Sequence, residues 1–209
     1  MKHVLVLQRD EKEIIRTSFV LNFKHFATNW LKFCSFIAHP SADDSQPSLS
    51  RLRRQTTPAL PTSRDFDIPD RYGETLAGKP FLLIDTLIRG KRMLAFANEL
   101  QLVILFKSKH IFIDGTFSVC PPFFDQVFII HGVHHEHVVP CVLALLPGRS
   151  ATVYKHLFET LDEQATDLDM SFEPEMITSA FESGLIKAVQ QHVCFLHRCE
   201  ASTIKLRIF

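Results

Sequence analysis

From residue 80 onward, apolar residues follow two alternating patterns along the chain. Runs rich in Ile, Val, Leu and Phe, bounded by turn residues, predict strands. Apolar positions repeated at intervals of three and four predict the helices between them. The pattern predicts strands at 80–86, 93–97, 110–120, 126–133, 138–146, 176–179 and 193–197. It predicts helices at 98–109, 150–164 and 182–192, the first with Asn98 as its N-cap.

The order of the later elements predicts the fold class. Three consecutive strands are followed by a helix, a strand, a helix and a last strand. The short turn at 134–137 predicts a hairpin between the second and third of these strands. An antiparallel hairpin that feeds parallel strands indicates an α/β protein with a mixed sheet and flanking helices, and is typical of the RNase H-like arrangement. Residues 65–209 are therefore predicted to form this domain.

The first 47 residues form an extension of a different pattern. Seven apolar residues at helical spacing predict one amphipathic helix over residues 10–38: Ile15, Phe19, Phe23, Phe26, Trp30, Phe33 and Ile37. No acidic residue lies between Glu13 and Asp43. A basic amphipathic helix suits a membrane surface or a partner, but its aromatic stripe suits docking on its own domain equally well.

Residues 48–64 are predicted to be a basic, Pro-rich linker. Its basic run contains Arg51, Arg53 and Arg54. These three are candidates for contact with DNA phosphates. The alternative is a solvated segment without a ligand.

Composition limits the class of protein. The 209 residues are 46% hydrophobic and 22% charged, which is a globular profile. Because 23 basic residues balance 23 acidic ones, total charge does not require a nucleic acid partner. Five irregularly spaced cysteines suggest a reducing compartment, the nucleus or the cytoplasm. No signal-peptide core or membrane span is predicted, so secretion is not expected.

Several segments carry a family resemblance, in a consistent order. They are IPDRY (68–72), GKPFLL (78–83), FIDGTF (112–117), VVPCVLALLP (138–147), ITSAFE (177–182) and CFLH (194–197). Together they resemble the transposases of Mutator-like elements (MULEs) over about residues 50–200. The resemblance implies an RNase H-like domain descended from an enzyme that cuts DNA and joins strands.

The resemblance also implies a two-metal site for Mg²⁺, built from Asp, Asp and Glu. Asp114 matches the first acid, and Gly115 after it is expected to leave room for a ligand. The second acid should precede Phe181, where this chain has Ala180. Glu182 is a poor substitute, since it would need a different backbone path.

The third acid belongs on a helix well beyond the CFLH segment, and no such helix lies within the 209 residues. Glu200 is too close to the last predicted strand to replace it. We therefore expect a C-terminally truncated, catalytically inactive remnant that binds no functional Mg²⁺. The alternative is a non-catalytic DNA- or protein-binding module on the same scaffold. An active nuclease would need carboxylates from a partner chain.

The missing helix is expected to leave one face of the sheet exposed, available to a protein partner or to self-association. Our hypothesis is that the helix at 10–38 partly covers this face. The sequence therefore leaves three alternatives for what covers this face: a protein partner, a second copy of the chain, or the helix at 10–38.

Two further clusters have metal-like spacing. Cys194 and His197, with Cys199 nearby, suggest a zinc site, against a buried thiol and a strand-end histidine. The histidines at positions 131, 134, 135 and 137 suggest a transition-metal site, against a solvated turn. The segment PGRS at 147–150 lacks the Gly-Lys-Ser/Thr ending of a phosphate loop and receives no role.

Overall fold

A computed structural model of the chain describes residues 63–117, 120–135, 137–180, 182–196 and 205–208. Four helices occur in this part of the chain: α1 (Asp70–Gly73), α2 (Glu99–Phe106), α3 (Ala151–Asp167) and α4 (Ser183–Leu196). Seven strands accompany them: β1 (Leu82–Ile88), β2 (Lys91–Phe96), β3 (His110–Thr116), β4 (Gln126–His134), β5 (His137–Leu146), β6 (Met176–Ser179) and β7 (Lys205–Ile208).

The seven described strands form one mixed sheet in the order β1-β2-β5-β4-β3-β6-β7. Neighbours from β1 through β3 pair antiparallel, whereas β6 pairs parallel with both β3 and β7. The predicted α/β class, with antiparallel strands feeding parallel ones, is confirmed. This order brings the carboxyl ends of β3, β5, β6 and β7 to one edge of the sheet, which we call the carboxyl edge.

The sheet separates two apolar cores. The larger one lies under α2, α3 and α4, on the side we call the helix face, and includes Ile111, Ile113, Phe128, Ile130, Leu105, Leu157 and Leu185. The smaller one lies on the opposite face, where Tyr72 and Phe124 cover Leu94, Phe96, Val127, Leu143 and Leu145. Burial of alternate side chains on two faces follows from the period of two along a strand.

Local signals explain several boundaries. Asn98 caps α2 through a reciprocal capping box with Gln101, as expected for its N-cap position. α2 ends at Phe106, earlier than predicted, where the Ser108 hydroxyl donates to the carbonyl of Ile104. The two-residue turn between β1 and β2 places both Arg89 (φ 50°) and Gly90 (φ 75°) in the left-handed region.

One predicted strand is wrong. Residues 193–196 belong to the last turn of α4, and the strand beside β6 on the side away from β3 is Lys205–Ile208. The apolar spacing that starts at Leu185 and Val189 continues through Val193 and Leu196, so helical periodicity outweighs the strand preference of Val and Phe.

Several predictions fall outside the described residues. They include the extension at 1–47 with its helix at 10–38, and the linker at 48–64 except its last two residues. Within the described part, no helix has the length and apolarity that a membrane crossing needs.

Candidate functional site

Asp114 lies near the carboxyl end of β3 on the face opposite the helices. Its neighbours Ile111 and Ile113 point into the helix-face core, whereas Asp114 is exposed. Across the antiparallel pairing, Asp114 stands opposite Ile129, which packs at the margin of the smaller core. The carboxylate is therefore open to solvent, at the edge of an apolar surface.

Ala180 follows β6 directly beside this position. Ile113 on β3 pairs with Ser179 at the end of β6 in parallel register, and Asp114 and Ala180 are the residues that directly follow this last pair. Both are exposed. A methyl group has no lone pair for a metal ion, so these two positions supply one carboxylate, which does not fit a two-metal site.

Gly115 serves a different purpose from the one expected. A Cβ added at Gly115 would overlap the amide nitrogen of Gln126, whose side chain crosses this position on the helix face. The Tyr154 hydroxyl donates to Oε1 of Gln126 at 2.9 Å. The glycine therefore makes room for a buried side chain of the protein itself.

Glu182 lies on the helix side, away from Asp114. Burial raises the pKa of Tyr154, and the adjacent Glu182 carboxylate raises it further. Within the described residues, three buried polar atoms of this region have no hydrogen-bond partner: Nε2 of Gln126, Oγ of Ser179 and Oε1 of Glu182. Glu182 thus belongs to a buried polar cluster under α3 rather than to the surface that carries Asp114.

The structure describes only some of the residues in the predicted metal clusters and the basic linker. Cys194 lies in α4, while His197 and Cys199 fall outside the described residues, as do Arg51, Arg53 and Arg54.

At the hairpin, the rings of His134 and His135 contact each other, with centroids 4.0 Å apart. His131 lies apart from them on β4, opposite Phe112 of β3. Across the described residues, no three His, Cys, Asp or Glu side chains are grouped to hold a metal ion.

The carboxyl edge also carries cations that the sequence did not single out. The Arg149 guanidinium lies over the exposed Phe117 ring, 4.1 Å from its centroid. Arg89, in the turn between β1 and β2, reaches the Thr152 hydroxyl in the first turn of α3 at 3.5 Å. Lys91 lies 4.0 Å from Asp125. Of these cations, only Arg149 lies in a segment that the sequence analysis considered, PGRS, which received no role.

Searches of family models, curated proteins and solved structures found no match to this chain.

Proposed function

We propose that this chain derives from the RNase H-like domain of a MULE transposase and no longer catalyses DNA cleavage or strand transfer. The strand order β5-β4-β3-β6-β7, with three antiparallel strands followed by two parallel ones, supports the RNase H-like part of this proposal. The ordered motifs around FIDGTF and VVPCVLALLP support the MULE part.

The observation that carries the loss of activity is the position of Ala180, which directly follows the parallel pair of Ile113 and Ser179 and so comes next to Asp114. Two-metal phosphoryl transfer needs converging carboxylates, because Mg²⁺ takes hard oxygen ligands and each ion must be held in place. Glu182 does not replace the missing acid, since it lies against Tyr154 on the helix side.

The direct test is a nicking assay on supercoiled and linear duplex DNA with Mg²⁺ or Mn²⁺. The full chain is expected to give no cleavage above an Asp114→Ala control. Cleavage that disappears in Asp114→Ala would overturn the proposal, because it would require a second ligand from elsewhere.

A gain-of-binding experiment tests this placement itself. Ala180→Asp is expected to raise the affinity for Mn²⁺, measured by calorimetry, whereas the neutral Ala180→Asn variant is not. The gain should vanish when Asp114→Ala is added. Equal Mn²⁺ binding by both position-180 variants would contradict the placement of the two side chains.

The second candidate is a non-catalytic DNA- or protein-binding module. Its support is the carboxyl edge, where Arg89 and Arg149 have no ion-pair partner in the described part of the chain. A nucleic-acid-binding module should bind with an affinity that falls as salt rises. Replacement of Arg51, Arg53 and Arg54 tests whether the linker supplies the contacts.

A further inference from the structure

We propose that Arg89, Phe117 and Arg149 form a binding surface for single-stranded nucleic acid, which we call the carboxyl-edge patch. The inference rests on the second candidate function and assigns it to a place on the sheet. The chemistry it would recognise is an unpaired base flanked by phosphates. Such sites combine cations that follow the backbone with an aromatic ring on which a base stacks.

The aromatic ring of this patch is partly exposed to solvent. Phe117 is 46% exposed, one of few large apolar side chains so exposed among the described residues. The Arg149 guanidinium lies over the ring, and Arg149 is itself exposed. Because the guanidinium covers one face of the ring, an incoming base can stack on the outer side of the guanidinium plane or displace it from the ring, and the cation offers donors to an adjacent phosphate.

The position of Arg149 is fixed by the two helices that begin at this edge. Arg149 directly precedes Ser150, the N-cap residue of α3. Gly184 in the first turn of α4 packs so closely that an added Cβ would overlap the Arg149 carbonyl oxygen. The backbone that presents this cation is therefore held between two packed elements, although its side chain is exposed.

Arg89 occupies a position where its residue type is unfavourable. The two-residue turn between β1 and β2 has positive φ at both residues, a geometry that favours Asn-Gly. An arginine there keeps a long cation at the start of α3, beside Thr152.

The charges that face this patch are mixed. Lys91 adjoins it but is partly neutralised by Asp125. The exposed Asp114 lies three residues before Phe117 on the same strand and its continuation. The net positive charge is therefore small, which predicts weak, salt-sensitive binding to a few phosphates rather than wrapping of a long duplex.

The test uses the full chain and fluorescence anisotropy with labelled oligothymidylate and oligouridylate of about 20 nucleotides, a length that exceeds one such site. A duplex of the same length is the third probe. The parent chain should bind both single strands more tightly than the duplex, and a preference between the first two probes would identify DNA or RNA as the partner. Tighter binding of the duplex would overturn the proposal.

Three variants address the patch. Phe117→Ala should weaken binding roughly fivefold or more, the low end of base–aromatic stacking. Arg149→Gln should reduce the steepness of log affinity against log salt concentration by about 0.7, the value expected when one phosphate contact to a single strand is lost.

Arg89→Asn should weaken binding while leaving the turn at least as stable, so lost affinity cannot reflect unfolding. Lys109→Gln, at the opposite end of β3, is the matched control.

The outcomes separate this inference from the broader binding function. If replacing Arg51, Arg53 and Arg54 weakens binding and the patch variants do not, the proposal for the carboxyl-edge patch is wrong. The broader proposal of a nucleic-acid-binding module then still stands. If the parent chain binds none of the probes, both are wrong. If the Lys109→Gln control weakens binding as much as Arg149→Gln, the attraction is diffuse charge and the patch is rejected.

Discussion

On the helix face of the sheet, Ile111 and Ile113 of β3 are 0% and 2% exposed, whereas on the opposite face Asp114 is exposed and Phe112 only half-buried. The side chains of β3 therefore lie in the larger core on the helix face and at the margin of the smaller core on the opposite face. The difference indicates that the helix face contributes more to the stability of the fold than the opposite face near Asp114 does.

The largest expected difference compares two adjacent residues of β3. Ile113→Ala should lower the free energy of unfolding by about 2–5 kcal/mol, because it removes buried methylene and methyl groups and leaves a cavity. Asp114→Ala should change it by no more than about 0.5 kcal/mol, as at most exposed sites. Urea unfolding with unchanged m-values measures both. A large loss in Asp114→Ala would mean that its carboxylate stabilises the fold.

Much of this arrangement was predictable from the sequence, because strands buried on one or both faces carry strong local signals. Every described strand except β7 was located to within a few residues, and the element order held with the last strand moved from 193–197 to Lys205–Ile208. Residues 193–196 were misplaced because Val and Phe favour strands, while only the longer helical repeat shows that α4 continues.

The site was less predictable, since it depends on contacts between residues far apart in the chain. The sequence singled out Asp114 and Ala180, and both directly follow the last parallel pair of β3 and β6, Ile113 with Ser179. The proximity of Arg149 to Phe117 and of Arg89 to Thr152 has no local signature in the sequence. Nor did the sequence indicate that Gly115 makes room for Gln126.

A second prediction tests how tightly the helix face is packed behind Asp114. Gly115→Ala should destabilise the protein by about 1–3 kcal/mol, since the new methyl group overlaps the buried Gln126 side chain. The cost should shrink in a Gln126→Ala background, where the overlap is gone. The measured quantity is the coupling free energy of the double-mutant cycle. Additive effects would show that the two side chains do not compete for the same space.

A third prediction concerns the hydroxyl that holds Gln126. Tyr154→Phe should cost about 1–3 kcal/mol, because it leaves the buried Oε1 of Gln126 without its donor. The pKa of Tyr154 is raised by burial, so above about pH 10 the unfolded chain loses a proton that the folded chain keeps. Stability should therefore fall at alkaline pH. Tyr154→Phe should reduce this alkaline loss of stability, measured by urea unfolding between about pH 8 and 11. If the loss is unchanged in the variant, other groups cause it.

The smallest expected effect lies on the opposite face, at His131. Burial lowers its pKa below the ordinary value, so the unfolded chain binds a proton near pH 6.5 while the folded chain still resists it. The free energy of unfolding should therefore decrease as the pH falls below about 6.5, because the unfolded state gains a proton that the folded state does not. His131→Gln should flatten this acid limb, measured by urea unfolding between pH 5 and 7.5.

The matched control for His131 is His156→Gln, on α3 in the helix layer. If both substitutions flatten the acid limb equally, the loss of stability has no special origin on the face that carries Asp114. If only His131→Gln flattens the limb, the half-buried surface between β3 and β4 resists protonation. A bound partner that shields this face should then steepen the same limb, because it would bury the imidazole further.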